Sequence, residues 1–442
     1  MRTLVEQARS LAGSWTTSRA LVDAALDKIA VDSRPYTDVF AERARQEADL
    51  SDRNRRLGHP VRPLEGLPIS VKDLFEIEGL PTPAGTPILK DGPVATRDAP
   101  VVERLRRAGA IIVGRTHMSP FAFSGVGMNP YGRQPVNPRD PARAPGGSSS
   151  GAGVTVGLGQ VAASIGTDTG GSVRIPAALC GVVGFKPTKA RISTEGAVPL
   201  SPLLDSVGPL ATTVEDCRLL DAVLADAPPE PHASVPLATL RFGVLKDFVL
   251  DEMEPQAAQD FERALARLSV AGARIEPVRL PALNRIPEIE ANGGVINAEA
   301  YAVHARAGWL AQKALYDPNV WFRLEAGGRM SATDYLNALW GWRELAREAD
   351  GLFEPYDAVL WPTCPILAPV MAELSDPKAF GRANSLLLRN TRIVNLMDRC
   401  AISLPMSEPG AQASGLMLTG PRMGDQRLLA VAAAVEAALE PR

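Results

Sequence analysis

The chain has 442 residues, of which 45% are hydrophobic and 22% are charged, a composition that excludes an intrinsically disordered protein. Its 47 basic and 50 acidic residues are interspersed and leave a formal net charge of -3, so the charge pattern indicates no nucleic-acid partner. The length allows up to about three domains, or one large α/β unit.

The spacing of the cysteines and the first residues of the chain indicate the cellular compartment. The four cysteines are far apart and none belongs to a C-x-x-C pair, which indicates neither a disulfide framework nor a zinc site. The opening "MRTLVEQARSLAG" lacks an apolar stretch before a cleavage site, and no apolar run reaches the roughly 18 residues of a membrane span. We expect a soluble, cytoplasmic protein without a membrane partner.

The first predicted elements form an outer helical layer over residues 1–60. Apolar residues recur at helical spacing from about residue 17 to residue 51, and Thr17 is a candidate N-cap. In "LEGLPISVKDLF", which starts at Leu64, apolar and polar residues then alternate, a pattern typical of a strand. Lys72 points opposite to its apolar neighbours on that strand.

Helices and strands alternate through the next part of the chain. "RDAPVVERLRRAGAIIVGRT" predicts a helix that leads into a buried strand, and "GAGVTVGLG" and "VAASIGTD" predict a small-residue helix and a strand. "LRFGVLKDF" predicts another strand, followed by a helix and a strand in "MEPQAAQDFERALARLSVAGARIEPV". This alternation favours an α/β fold.

The C-terminal half is aromatic and begins with helices. Residues 287–353 are predicted to be mostly helical and, with the strand "DAVLWPT", contain five of the six tryptophans, which we interpret as core packing. "AISLPM" and "SGLMLTG" predict two more strands, and "DQRLLAVAAAVEAALE" predicts a closing helix.

Two serine-bearing glycine clusters, "PGGSSSG" at 145–151 and "GTDTGGSVRIP" at 166–176, lie close together. A linker would separate regions of different composition, but both clusters lie within dense helix-strand alternation. Neither matches the dinucleotide fingerprint or the P-loop. Nucleophilic catalysis remains, since the backbone N–H groups of a turn such as "TGGS" can converge on a developing oxyanion.

No histidine is an evident candidate for the base that such a serine needs. None of the four histidines has a catalytic-looking context and the G-x-S-x-G motif is absent. A lysine kept neutral by burial is the usual substitute, because desolvation disfavours its charged form.

The segment "GGSSSGAGVTVGLGQVAASIGTDTGGSVRIPAALCGVVGFKPT", residues 146–188, together with "GLPISVKDLF", resembles the amidase signature family. The resemblance implies one α/β/α domain over residues 1–442, with a central mixed, mostly parallel twisted sheet covered by helices on both faces. Its signature core would span 66–230, and a C-terminal α/β part would span 237–442 with a helical substrate-side region at 287–353.

The same resemblance implies a Ser-Ser-Lys triad with no cofactor and no metal. Ser172 would be the nucleophile, Ser148 the bridging serine beside a cis peptide bond, and Lys72 the base. The oxyanion would be received by backbone N–H groups of the nucleophile loop: Thr169, Gly170, Gly171 and Ser172. We expect Asp168 and Arg174, which bracket the loop, to form a buried structural pair.

The substrate pocket is predicted in "MSPFAFSGVGMN", residues 118–129, and its lining is assigned to Phe123, Ser124, Gly125 and Val126. The apolar residues of this segment, Phe121, Phe123, Val126 and Met128, favour a small aryl or alkyl amide, or by extension a carbamate or ester, as substrate. We expect a monomer or homodimer. A catalytically silent scaffold is the less favoured hypothesis, because it has no physical need for all three triad residues.

The alternative within the family is the glutamine-hydrolysing subunit of a tRNA-dependent amidotransferase. The resemblance places its glutamine-binding acid near Leu388, but residues 385–396 contain no acidic side chain. A buried substrate ammonium without a carboxylate partner would cost several kcal/mol. The sequence therefore disfavours free glutamine as substrate.

Overall fold

One sheet organises the structure, a computed structural model that describes residues 3–228, 235–291 and 293–439. Within these ranges the sheet has eleven strands in the order β1-β3-β2-β4-β6-β5-β10-β11-β9-β7-β8. The strands are β1 Tyr36–Val39, β2 Pro68–Lys72, β3 Ile111–Thr116, β4 Ala163–Thr167, β5 Val183–Lys186, β6 Val207–Ala211, β7 Arg241–Leu245, β8 Arg274–Val278, β9 Ala358–Pro362, β10 Ala401–Pro405 and β11 Gly415–Thr419.

Helices supply the surrounding layers. They are α1 Leu4–Ala12, α2 Ser18–Val31, α3 Ala41–Arg56, α4 Pro100–Arg107, α5 Ser150–Gly157, α6 Arg174–Cys180, α7 Val214–Leu224, α8 Pro255–Val270, α9 Ile286–Ile289, α10 Gly294–Arg306, α11 Pro318–Gly328, α12 Ala332–Phe353, α13 Pro377–Leu396 and α14 Asp425–Leu439. Within the described ranges, none of them combines the length and the apolar character that crossing a bilayer requires.

Apolar residues pack on both faces of the sheet. Successive residues of a strand point to opposite faces, and in β3 Ile111 and Val113 belong to one buried cluster while Ile112 belongs to another. In β9, Leu360 and Trp361 likewise belong to different clusters. The single α/β domain with a large mixed sheet, predicted from the alternation and the resemblance, is confirmed.

The expectation of a mostly parallel sheet is wrong. Four of the ten strand pairings are parallel and six are antiparallel. Parallel neighbours need a covering crossover, usually a helix. The chain between β5 and β6 contains no α-helix, and β10 and β11 are joined by the short loop 406–414, so these strands reverse direction.

The N-terminal helical prediction over residues 17–51 also needs a correction. Thr17 caps α2 as expected, with its hydroxyl accepting from the Ala20 N–H. The helical pattern is then interrupted by β1, which pairs with β3 along the sheet edge. The predicted core boundary at residue 230 and the chain ends at residues 1 and 442 lie outside the described residues.

The sheet brings two strand ends together. β2 and β4 are parallel neighbours, and Val71 is in register with Ile165. Lys72 is the last residue of β2 and Thr167 the last of β4, so both lie at the same edge, where parallel sheets commonly build binding sites. All five residues of β2 are buried, including Lys72.

Close backbone packing in the sheet gives a test of this fold. A methyl group on Gly208 in β6 would overlap the carbonyl oxygen of Phe185, so Gly208→Ala should lower the free energy of unfolding by about 1–3 kcal/mol. Gly351→Ala, at an exposed position of α12 with open space around it, should raise it by up to about 1 kcal/mol. Urea denaturation measures both, and equal changes would contradict the packing described.

Candidate active site

Lys72 lies at the centre of the site and is fully buried. Its Nζ donates hydrogen bonds to Ser148 Oγ and to Thr167 Oγ1, each at 2.8 Å. Burial lowers the pKa of Lys72 to about 7, although the negative charges of Asp168 and Asp205 oppose the shift. A substantial fraction of Lys72 is therefore neutral at neutral pH and has a lone pair available.

The first serine cluster brings Ser148 to this lysine. The peptide bond between Gly147 and Ser148 is cis, as the resemblance implied. The Ser148 carbonyl accepts the N–H of Ser119 at 3.1 Å. The next residue, Ser149, donates its N–H to the carbonyl of Ser172 at 3.2 Å, so the two serine clusters are in direct contact.

The second serine cluster, at 166–176, has backbone N–H groups that are free to bind a ligand. Within the part of the chain that the structure describes, the N–H groups of Thr169, Gly170, Gly171 and Ser172 donate no hydrogen bond to protein. The Gly170 carbonyl is held by the Thr391 hydroxyl at 2.6 Å. Gly171 has φ +139°, and a side chain there would overlap Thr391 Oγ1, so glycine is required at this position.

A buried ion pair fixes that loop. Asp168 and Arg174 are both inaccessible to solvent and their side chains meet at 2.8 Å, which confirms the predicted structural pair. Asp168 Oδ2 also accepts the N–H of Val173. Burial alone would raise the pKa of Asp168, but the charge and hydrogen bonds of Arg174 hold it at about 2.

Ser172 opens onto a cavity of about 340 Å³, which Thr169 and Gly170 also line. Of the four residues assigned to the pocket, Phe123 and Ser124 lie in its wall. Gly125 and Val126 are not among the residues that line it.

Gly125 and Val126 have other contacts. The Gly125 N–H donates to Asn384 Oδ1 at 2.9 Å, and Val126 packs in an apolar cluster with Ile175 and Leu179.

Sequence reasoning missed the charged residues of the cavity. Glu290 at the end of α9, Arg323 in α11 and Arg392 in α13 line it together with the apolar side chains of Ile296 and Leu388. The expectation of an apolar pocket is therefore incomplete. Helices more than 100 residues downstream complete the cavity and bring charged side chains to it. The predicted helical region 287–353, which supplies Glu290 and Arg323, was the available signal.

Side chains that could ligate a metal are dispersed. Among the described residues, no three His, Cys, Asp or Glu side chains are grouped as a metal ion would need. The four cysteines are buried and unbridged.

The sequence and the fold have known relatives. Residues 20–429 match the Amidase family, and the chain belongs to it. A solved structure described as an amidase shares 34% sequence identity with a TM-score of 0.89, over 99% of this chain and 100% of its own. The chain is accordingly an enzyme of the class that hydrolyses carbon–nitrogen bonds other than peptide bonds.

The relatives are named for different activities. A 2-amino-5-chloromuconic acid deaminase of Comamonas testosteroni is 36% identical over 444 aligned positions, covering 98% of this chain and 95% of the relative. A glutamyl-tRNA(Gln) amidotransferase subunit of Salinispora arenicola is 32% identical, covering 99% and 97%. A peptide amidase structure has a TM-score of 0.82 at 26% identity, over 98% of this chain and 97% of its own.

The buried ion pair between Asp168 and Arg174 gives a second test. Arg174→Met leaves Asp168 buried without its counter-charge and should lower the free energy of unfolding by about 3–5 kcal/mol. The control is Arg97→Met, which breaks an ion pair to Glu195 whose side chains are 73% and 58% exposed and should change stability little. Similar losses in both variants would show that Asp168 is not dependent on Arg174.

Proposed function

We propose that this enzyme hydrolyses small amides through an acyl-enzyme on Ser172, with Ser148 as proton relay and Lys72 as base. The observation that carries the proposal is the buried Lys72 Nζ at 2.8 Å from Ser148 Oγ, next to a loop of unused N–H donors that lines the cavity. In this proposal Lys72 at the end of β2 supplies the base, Ser148 beside it the relay, and the loop after β4 the oxyanion site.

The hydrogen bonds of Lys72 suit it to the role of base. A neutral amine has two N–H donors and one lone pair. When one N–H is donated to Thr167 Oγ1, the lone pair can be directed at Ser148, whose hydroxyl proton then passes to Nζ. Thr167 would thus orient the base without taking part in proton transfer.

The reaction steps follow from this arrangement. Ser148 takes the proton of Ser172 as Ser172 Oγ attacks the amide carbonyl carbon, and Lys72 takes the proton of Ser148. N–H groups of the loop from Thr169 to Ser172 receive the oxyanion, and loss of one donor from an oxyanion hole typically costs on the order of 10²–10³ in rate. The proton returns to the leaving nitrogen as the C–N bond breaks, and water repeats the sequence on the acyl-enzyme.

The cavity limits the size of the substrate. Its volume of about 340 Å³ is near the lower end of the range of ~300–1,000 Å³ for ligand sites. Ile296, Leu388 and Phe123 offer apolar contact to a short alkyl or aryl group. Carbamates and esters are further candidates, since both pass through the same tetrahedral oxyanion.

Glutamine hydrolysis is the second candidate function. The relative from Salinispora arenicola is named as an amidotransferase subunit, and Glu290 supplies a cavity acid that residues 385–396 lack. Glu290 is already paired with Arg392 at 2.7 Å, however. A glutamine ammonium would have to compete for that carboxylate, so small amides without an ammonium are favoured.

Removal of the nucleophile tests the proposal. Ser172→Ala should lower turnover of a panel of small amides, carbamates and p-nitrophenyl esters by more than about 10³-fold, measured as release of ammonia, amine or nitrophenol. Ser375→Ala, at an exposed serine outside the site, is the control. Retained turnover in Ser172→Ala would exclude the acyl-enzyme, and preferred cleavage of glutamine would establish the second candidate.

The pH profile tests the base. Neutral Lys72 is the reactive form, so kcat/KM should rise with pH and level off above the pKa of about 7. Lys72→Met should abolish the activity at every pH. A profile that stays flat from about pH 5 to pH 9 in the wild type would contradict Lys72 as the base.

A further inference from the structure

The loop that presents Ser172 contains a peptide group whose own side chains do not restrict its rotation. This peptide group joins Gly170 to Gly171, and glycine populates positive and negative φ about equally. A half-turn of the group would exchange the positions of the Gly170 carbonyl and the Gly171 N–H. The orientation of this peptide group therefore decides whether a hydrogen-bond donor or an acceptor faces a bound molecule.

A side chain of α13 holds the carbonyl of this peptide group. The hydroxyl of Thr391, a fully buried residue, donates to the Gly170 carbonyl at 2.6 Å. The Asp168 carbonyl, two residues earlier, accepts from Asn395 Nδ2 and from both the hydroxyl and the N–H of Ser206. Within the described ranges, three donors thus fix the Asp168 carbonyl, whereas the Gly170 carbonyl depends on Thr391 alone.

The held carbonyl sets the direction of the N–H on the other side of the peptide bond. The bond between Gly170 and Gly171 is trans, so its C=O and N–H point in opposite directions. The Gly171 N–H therefore points away from Thr391. In the part of the chain that the structure describes, this N–H meets no protein acceptor, and the residues on either side of it, Gly170 and Ser172, line the cavity.

We propose that Thr391 is a positioning residue for catalysis, whose hydroxyl fixes this peptide group so that the Gly171 N–H donates to the oxyanion formed at Ser172. The inference rests on the proposed function, since an oxyanion forms only if Ser172 adds to a carbonyl carbon. Thr391 is not among the residues that line the cavity, so it acts through the loop and not on the substrate.

Loss of the hydroxyl would act on the transition state more than on substrate binding. A buried carbonyl without a hydrogen bond is unfavourable, and a half-turn of the peptide group toward the cavity relieves it. The Gly170 carbonyl oxygen would then replace the Gly171 N–H and repel the developing negative charge. A bound molecule that carries no such charge would be affected much less.

A pair of ketones measures oxyanion stabilisation at Ser172. 2,2,2-Trifluoroacetophenone is electrophilic enough to add Ser172 Oγ: the O–C bond forms, the carbonyl π bond opens to an oxyanion, and the hydroxyl proton passes through Ser148 to Lys72. Acetophenone binds without this adduct. Each ketone is titrated to the concentration that halves the rate of Ser172 labelling by a fluorophosphonate, read by intact-protein mass. The acetophenone concentration divided by the trifluoroacetophenone concentration is the measured ratio.

Variants of Thr391 test its role. Thr391→Val should lower the ratio by about tenfold or more, because loss of one oxyanion donor typically costs on the order of 10²–10³ in rate. Thr391→Ala, which removes the hydroxyl without placing a methyl group against the Gly170 carbonyl, should also lower it and replaces Thr391→Val if that variant does not fold. Thr391→Ser keeps a hydroxyl and should retain most of the ratio.

Thr155→Val is the matched control. Thr155 is as fully buried as Thr391, but its hydroxyl donates to the Ala152 carbonyl of its own helix, α5, at 3.0 Å. The same substitution there removes a buried hydroxyl without releasing the nucleophile loop. The ratio should stay at the wild-type value.

The outcomes separate this inference from the proposed function. A wild type that is not labelled, equal labelling of Ser172→Ala, or a wild-type ratio near one would overturn the proposed function itself. A wild-type ratio that persists in both Thr391→Val and Thr391→Ala would overturn only the positioning role of Thr391. An equal fall in Thr155→Val, or no recovery in Thr391→Ser, would also overturn that role, because the loss would not depend on the hydroxyl of residue 391.

Discussion

The burial of one lysine amino group at the end of β2 is the constraint on which the site depends. A solvated lysine would be protonated at neutral pH and could not act as a base. At this position Lys72 is surrounded by sheet and loops, and its two observed acceptors are the hydroxyls of Ser148 and Thr167. Hydroxyl partners, unlike carboxylates, do not stabilise the charged form strongly, so the low pKa persists.

The two carboxylates near Lys72, those of Asp168 and Asp205, are bound by other groups. Asp168 is committed to Arg174 and also accepts hydrogen bonds from Asn395 of α13. Asp205 accepts the Thr169 hydroxyl and the backbone N–H of Ser201. A carboxylate paired elsewhere raises the lysine pKa less than a free one would. The same bonds fix the two ends of the loop that lines the cavity, so the proposed base and the proposed oxyanion site share one network.

The sequence was most informative where chemistry is local. The strand that ends at Lys72 and the pair of Asp168 with Arg174 lie close to the serine clusters in sequence, and both were predicted correctly. The sheet direction was mispredicted because helix-strand alternation does not record which strands return without a crossover. Arg323 and Glu290 were missed because a charged residue in a helical stretch looks the same whether it faces solvent or a cavity.

Direct titration of Lys72 tests the central claim more closely than any activity measurement. Lysine labelled with ¹³C at Cε can be followed by NMR through a pH series, with the Lys72 signal assigned by its loss in Lys72→Met. The account predicts a pKa near 7 for this amine, well below the usual value of about 10.4. A Lys72 ammonium that stays charged to about pH 9 would contradict the account, because the buried base would then be absent under working conditions.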